Sequence, residues 1–266
     1  MDPLRIFPNA ATLATAVADH IAGLVCTAVD ERAVFHWAVA GGQTPALLYR
    51  TLATPAYAHL PWNQVHIWFG DERTVPHDHL SSNFRMVRET LLDHVPILDR
   101  HIHPMPTEMR TLRQGAWAYA QSLEALLLRH QGVPCLDLVL LGMGADGHVA
   151  SLFPGSCALH QTHQAAVANY APGPQAWRIT LTKPILDHAR HVLLLVAGSD
   201  KATAVAQTLG SVSGSVSGSA VPSGRRLPVQ QLAPCGSLTW YLDVAAASLL
   251  DTALDTATNP HDSIPP

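Results

Sequence analysis

The stretch Leu136 to Gly155, LDLVLLGMGADGHVASLFPG, decides how the chain folds. Its opening run, Leu138-Val139-Leu140-Leu141, is apolar at every position, the pattern of a strand buried on both faces of a parallel sheet. The run stops at Gly142-Met143-Gly144, where a sharp turn and close approach of a ligand to the backbone both favour glycine. Asp146, Gly147 and His148 follow. Val149 to Phe153 reads as a short helix, with His148 at its N-terminus. Open α/β sheets bind ligands at such crevices, beyond the carboxyl ends of their strands.

The flanking sequence repeats the alternation. Asn9 is placed to cap a helix to about Val29, with Leu13, Val17, His20, Ile21 and Leu24 at helical spacing. Ala33 to Ala40 reads as a buried strand ending at Gly41-Gly42-Gln43-Thr44-Pro45. There Thr44 suits an N-cap and Pro45 the first helical position. The amides of Gly42, Gln43 and Thr44, with the helix dipole behind them, would then form an anion site. Val65 to Phe69 is a third strand, ending at Gly70-Asp71-Glu72-Arg73. Asp71 and Arg73 can enter the crevice, and Glu72 either pairs with Arg73 or faces outward. Helices are predicted over Phe84–His94 and Thr107–His130, and a loop from Gly155 to Pro174. Trp177 to Thr182 is a strand carrying Arg178, and Lys183 to Leu186 a short helix. His191 to Ala197 is another buried strand. Ser199 or Asp200 would cap the next helix, leaving Lys201 in its first turn, where a cation opposes the dipole unless an anion lies nearby. Leu238 to Leu242 is a late strand, and Asp243 would cap a last helix to Leu250.

Alternating strands and helices imply an α/β fold, a Rossmann-like three-layer α/β/α arrangement around a mostly parallel sheet. Of 266 residues, 48% are hydrophobic and 14% charged, enough for one large core. A single domain is expected over 1–250, with a flexible Ser/Gly loop at 211–223 and a disordered tail at 251–266. The net charge of −4 gives no field for nucleic acid. Four cysteines without a CxxC pair read as reduced thiols. No signal peptide or membrane-length apolar run is evident, so a soluble cytoplasmic protein without membrane or nucleic-acid partners is expected, monomer or homodimer. The 16 histidines include His77-Asp78-His79 and His101-Ile102-His103, but none follows zinc-site spacing. Most read as surface or loop residues, and neither metal nor cofactor is expected.

The strand ends thus bring two chemistries together. The Gly41–Thr44 loop, Arg178 and Lys201 suit a phosphate. His148, with Asp146 or Asp71 beside it, suits acid/base work, because a helix N-terminus disfavours imidazolium and keeps the ring basic. No GxSxG elbow points to an acyl-enzyme. A His base with cationic anchors fits water addition to, or proton movement within, a sugar phosphate.

GGQTP, FGDERTVP with Ser82-Asn83, DLVLLGMGADGHVASLFPG, WRITLT, GSDKA, LPVQQL and LTWYLD, in this order, resemble the 6-phosphogluconolactonase family, from about Val34 to Leu250. The resemblance implies the fold of glucosamine-6-phosphate isomerases and metal-free hydrolysis of 6-phospho-D-glucono-1,5-lactone in the oxidative pentose phosphate pathway. It implies His148 as the base, with Asp146 and Asp71 lining the site. The substrate contacts it implies are Gly42, Thr44, Arg73, Arg178 and Lys201, and Gly41, Gln43 and Gly144 are expected to bind substrate with them. Val149 departs from the family's usual Thr, while Ser151 is retained. The alternatives are an isomerase or deaminase of the same fold and a catalytically silent phosphosugar-binding protein. The isomerases resemble IAFNEP after the DGH, and their Glu falls at Phe153 here. The silent reading would not require His148 and both acids.

Overall fold

The structure is a computed structural model that describes residues 3–171, 173, 175–210 and 226–250. The Ser/Gly stretch 211–223 and the tail from Asp251 lie outside the described residues. In chain order the strands are β1 Leu4–Phe7, β2 Phe35–Val39, β3 Val65–Phe69, β4 Asp71–Arg73, β5 Arg129–His130, β6 Val133–Pro134, β7 Leu138–Leu141, β8 Ala166–Tyr170, β9 Trp177–Leu181, β10 His191–Val196 and β11 Ser237–Asp243. The α-helices are α1 Ala10–Arg32, α2 Gln43–Leu52, α3 Asn83–Thr90, α4 Leu112–Leu126, α5 Lys183–Asp187 and α6 Ala202–Leu209.

Six strands form one sheet in the order β1-β11-β10-β7-β2-β3, every neighbouring pair parallel. The apolar runs are its centre: all four residues of β7 and all five of β2 are buried. Neighbouring strand partners share a face, and Ala38 is registered with Trp68, so Trp68 points away from Trp37. Tyr49 of α2 packs edge-on to Trp37, and Tyr119 of α4 packs edge-on to Trp68. Helices therefore cover both faces, which makes the three layers expected from the alternation.

Helix ends follow local chemistry. Asn9 caps α1 in a reciprocal pair with Thr12, and Ala33, at φ 60°, ends it four residues past the expected Val29. α1 is also long and apolar enough to cross a bilayer by length and composition, contrary to expectation. Its apolar stripe, including Leu13, Val17, Ile21 and Val25, is packed in the core. Thr111 caps α4, so this helix starts later than predicted, and the β5–β6 hairpin replaces its predicted last turn.

Other expectations fail for longer-range reasons. Asp71–Arg73 is a strand, not a loop, because it pairs antiparallel with β9. Ala166–Tyr170, predicted as loop, is the third strand of that small sheet. Val149–Phe153 is no helix: Ala150 sits at φ 48°, a left-handed conformation that cannot continue one, and Val149 bridges to Leu152 across the turn. After β11 the chain makes turns instead of the predicted final helix, although Asp243 accepts the Ala246 amide at 2.7 Å.

Four histidines cluster on and beside β2 and β3, His36 buried and His66, His101 and His103 half-buried. His36 and His66 are registered partners on β2 and β3. His101 stacks on His66 at 3.9 Å between centroids and His103 on Trp68 at 4.0 Å, while Ile102 bridges to Ile67. His66 Nδ1 lies 3.0 Å from His103 Nε2, and the Trp68 indole donates to His36 Nδ1 at 3.2 Å. Burial, then the neighbouring imidazoles, lower the pKa values of His66 to about 3 and His103 to about 4, with Arg100 adding to the effect on His66.

Candidate active site

Strands β2, β3, β7 and β10 end on one rim, and the segments that follow them carry its polar groups. After β2, the Tyr49 hydroxyl accepts the Ala40 amide at 2.9 Å and donates to the Ala40 carbonyl at 2.8 Å, fixing where the glycine loop begins. Gly42, at φ 106°, is the N-cap of α2, and no side chain caps that helix. The helix thus starts two residues before the predicted position, with Thr44 inside the first turn rather than at the cap. The first-turn amides have no partner within the helix, so their partial charge faces the rim.

After β7 the chain folds back on itself. The Gly144 amide donates to the His148 carbonyl at 2.9 Å, and the Gly147 amide to the Gly144 carbonyl at 2.9 Å. A Cβ on Gly144 would fall onto the His148 ring and the Asp146 carboxylate, so only glycine lets them meet there. His148 Nδ1 is 2.5 Å from Asp146 Oδ1. Burial opposes ionisation of Asp146, but hydrogen bonds and charge from His148 outweigh it and lower the pKa. An ionised carboxylate only accepts, so Nδ1 is the donor, and in the neutral form of the ring the lone pair sits on Nε2. The Phe153 ring stacks on the imidazole at 4.2 Å between centroids. Because no helix begins after His148, the dipole expected to keep its ring neutral is absent. The residues that act on the ring are Asp146 and Phe153. Val149, the departure from the family pattern, is fully buried away from the cavity wall.

Asp71 is not the partner of His148. Its Oδ2 accepts the Ser151 hydroxyl at 2.5 Å and lies 3.7 Å from Arg178 Nη1, while its Oδ1 accepts Asn83 Nδ2 at 3.1 Å. Arg73 and Arg178 are directly registered across β4 and β9. Like charges opposite one another destabilise a sheet pair, so this position favours an anion. Burial lowers the pKa of Arg178, Asp71 opposes this, and Arg73 adds to it. Glu72 neither pairs with the Arg73 guanidinium nor faces outward. It is 1% exposed and accepts the amides of Arg73, Asn83 and Phe84 and the Ser82 hydroxyl, all at 2.7–3.0 Å.

After β10, Ser199–Lys201 is a 3-10 turn, and Lys201 is the N-cap of α6 rather than part of its first turn. The nearby anion is Asp200, whose Oδ2 lies 2.8 Å from Lys201 Nζ. Beyond residue 225 the chain returns to this rim. The Val229 amide donates to the Gly147 carbonyl at 3.0 Å, and the Gln230 amide group donates to the Gln207 carbonyl of α6 at 2.7 Å.

These loops enclose an open cavity of about 440 Å³. Gly41, Gly42, Gln43, Thr44, Asp71, Arg73, Gly144, His148, Arg178 and Lys201 all line it, with Asp146 behind His148. A larger cleft of about 960 Å³, walled by Trp117 and Trp177, carries only one charged lining residue, Arg113, and none of the strand-end groups. Size is therefore a poorer guide to the site than convergent polar groups. Asn83 and Phe153 were absent from the sequence-predicted site. Ser82 caps α3 in the structure, and the contacts of Asn83 with Asp71 and Arg73 gave no sequence signal, since they depend on folding β4 against α3.

The family described as glucosamine-6-phosphate isomerases/6-phosphogluconolactonase matches residues 8–240. A 6-phosphogluconolactonase of Synechocystis is 38% identical over 85% of this chain and 89% of its own. A probable 6-phosphogluconolactonase 2 of Oryza sativa subsp. indica is 34% identical over 97% and 93%. The chain belongs to this family, on its 6-phosphogluconolactonase branch. The solved 6-phosphogluconolactonase from Trypanosoma cruzi superimposes on it with a TM-score of 0.80 at 28% identity, covering 94% of this chain and 97% of that one. In this family member the fold inferred from alternating strands and helices is the family fold.

Proposed function

We propose that this enzyme hydrolyses 6-phospho-D-glucono-1,5-lactone to 6-phospho-D-gluconate, with His148 as the base. The carrying observation is the 2.5 Å contact of His148 Nδ1 with Asp146, on a ring that lines the same cavity as Arg73, Arg178 and the uncapped start of α2. Nε2 takes a proton from water as its oxygen adds to the lactone carbonyl carbon. Collapse of the tetrahedral intermediate breaks the ring C–O bond, and the imidazolium returns the proton to the departing ring oxygen. Asp146 holds the tautomer and offsets the positive charge that forms. The glycine loop with Arg73, Arg178 and Lys201 anchors the phosphate and orients the lactone. Asp71 orders Arg178 and Ser151 instead of serving as a second base. The chemistry requires water, a base and an anion anchor, and calls on no metal or cofactor. A coupled assay tests this reading: glucose 6-phosphate with its dehydrogenase and 6-phosphogluconate dehydrogenase should release the second NADPH faster when the protein is added. An unchanged rate, or release of ammonia from glucosamine 6-phosphate, would overturn it.

A further inference from the structure

We propose that Asn83 is a positioning residue for the phosphate anchor, fixing the Arg73 guanidinium relative to Asp71 and the glycine loop. This rests on the reading of Arg73 as a phosphate contact. The Asn83 side chain lines the cavity although the residue is only 2% exposed. Its amide works in both directions. Nδ2 donates to the Asp71 carbonyl at 2.8 Å and to Asp71 Oδ1 at 3.1 Å, while Oδ1 accepts from Arg73 Nη1. Aspartate lacks the donor, alanine lacks both functions, and glutamine adds a methylene where no space remains. That last limit comes from Gly41, where even a Cβ would overlap the Asn83 amide. Nor can Asn83 retreat, since its backbone amide is held by the buried Glu72 carboxylate at 2.8 Å.

One amide thus links three parts of the rim: the loop after β2, the carboxylate that faces Arg178, and the guanidinium opposite Arg178. Two registered arginines would otherwise splay apart, and a dianion would have to draw them together on binding. Holding them beforehand removes that cost from binding. Asn83 makes no hydrogen bond to His148 or Asp146. Its influence should therefore appear in substrate capture, not in proton transfer.

The test compares Asn83→Ala, Asn83→Asp and Arg73→Ala on 6-phosphogluconolactone and on glucono-1,5-lactone, which lacks the phosphate. Both Asn83 variants should lower the ratio of kcat/KM for the phosphorylated over the plain lactone by about tenfold or more, through KM, as expected for a weakened charge-assisted contact. The near-isosteric Asn83→Asp keeps the shape of the side chain, so a result remains if Asn83→Ala fails to fold. Equal losses on both lactones, or a fall in kcat at unchanged KM, would overturn the proposal. So would an unchanged ratio in the Asn83 variants beside a lowered one in Arg73→Ala. An unchanged ratio in Arg73→Ala would instead overturn the anchor reading itself, and the proposal with it.

Discussion

His148 Nδ1 and Asp146 Oδ1 lie 2.5 Å apart across a single intervening glycine, Gly147, whose φ of 74° turns the two side chains toward each other. The acid and the base come from one tight loop, so their geometry does not depend on how distant elements dock. His148→Ala should lower kcat by about 10²–10⁴-fold, the range for a lost acid/base, with an unchanged circular dichroism spectrum. Asp146→Asn should also lower kcat, because an amide can hold the ring in the wrong tautomer. Turnover near the wild-type rate in His148→Ala would remove the ring from the base role.

Gly144→Ala should separate the chemistry from the fold. The added Cβ meets the His148 ring and the Asp146 carboxylate, so the pair must shift while the strand beneath stays packed. We expect a kcat at least about tenfold lower, since small misplacements of catalytic groups are costly. The melting temperature should stay within a few degrees. A fully active Gly144→Ala enzyme would show that the contact tolerates displacement.

Lys201 lines the cavity after β10 and pairs with Asp200, a largely exposed carboxylate. Such a pair is weak and leaves the ammonium available to a dianion. Lys201→Ala should raise KM for the phosphorylated lactone by roughly 10- to 150-fold, the equivalent of one charge-assisted hydrogen bond. The effect on the unphosphorylated lactone should be far smaller. Parallel losses on the two substrates would count against an anchoring role.

The histidine ladder at the edge of β3 predicts acid lability. His66 and His103 have folded pKa values of about 3 and about 4, below the ordinary 6.5. The unfolded chain therefore takes up these protons first. Their contribution is fully present above pH 6.5 and is lost as pH falls from there toward 4 and 3. Melting temperature should drop between pH 7 and pH 5, and His103→Gln should flatten the drop. An unaltered slope in that variant would place the lability elsewhere.

The sequence was most legible where one segment carries its own signal. β2, β7 and β10 read as buried strands because a parallel sheet covered on both faces demands uninterrupted apolar runs. Every predicted site residue except Asp146 lines the cavity, because each follows the carboxyl end of a strand or sits on β4 or β9. Illegible were features that exist only by pairing. Asp71-Glu72-Arg73 has no strand periodicity and becomes β4 only against Arg178-Ile179-Thr180. Glu72 reads as a partner of Arg73 or an outward charge, yet four donors from Arg73 and the start of α3 with its cap hold it buried. Val149–Phe153 has helical composition but follows Gly147 into a turn that holds Ala150 left-handed. The assignment of His148 to Asp146 rather than Asp71 also required coordinates, since both acids lie just past strand ends.

The side chain of Gln230 has a consequence beyond catalysis. It accepts the Leu227 amide at 2.7 Å and donates to the Gln207 carbonyl at 2.7 Å, while its neighbour Val229 is tied to Gly147. One side chain thus ties together the described residues on either side of 211–225, joining α6 to the segment that holds the Gly147 carbonyl. Removing that amide would uncouple α6 from the loop that holds His148.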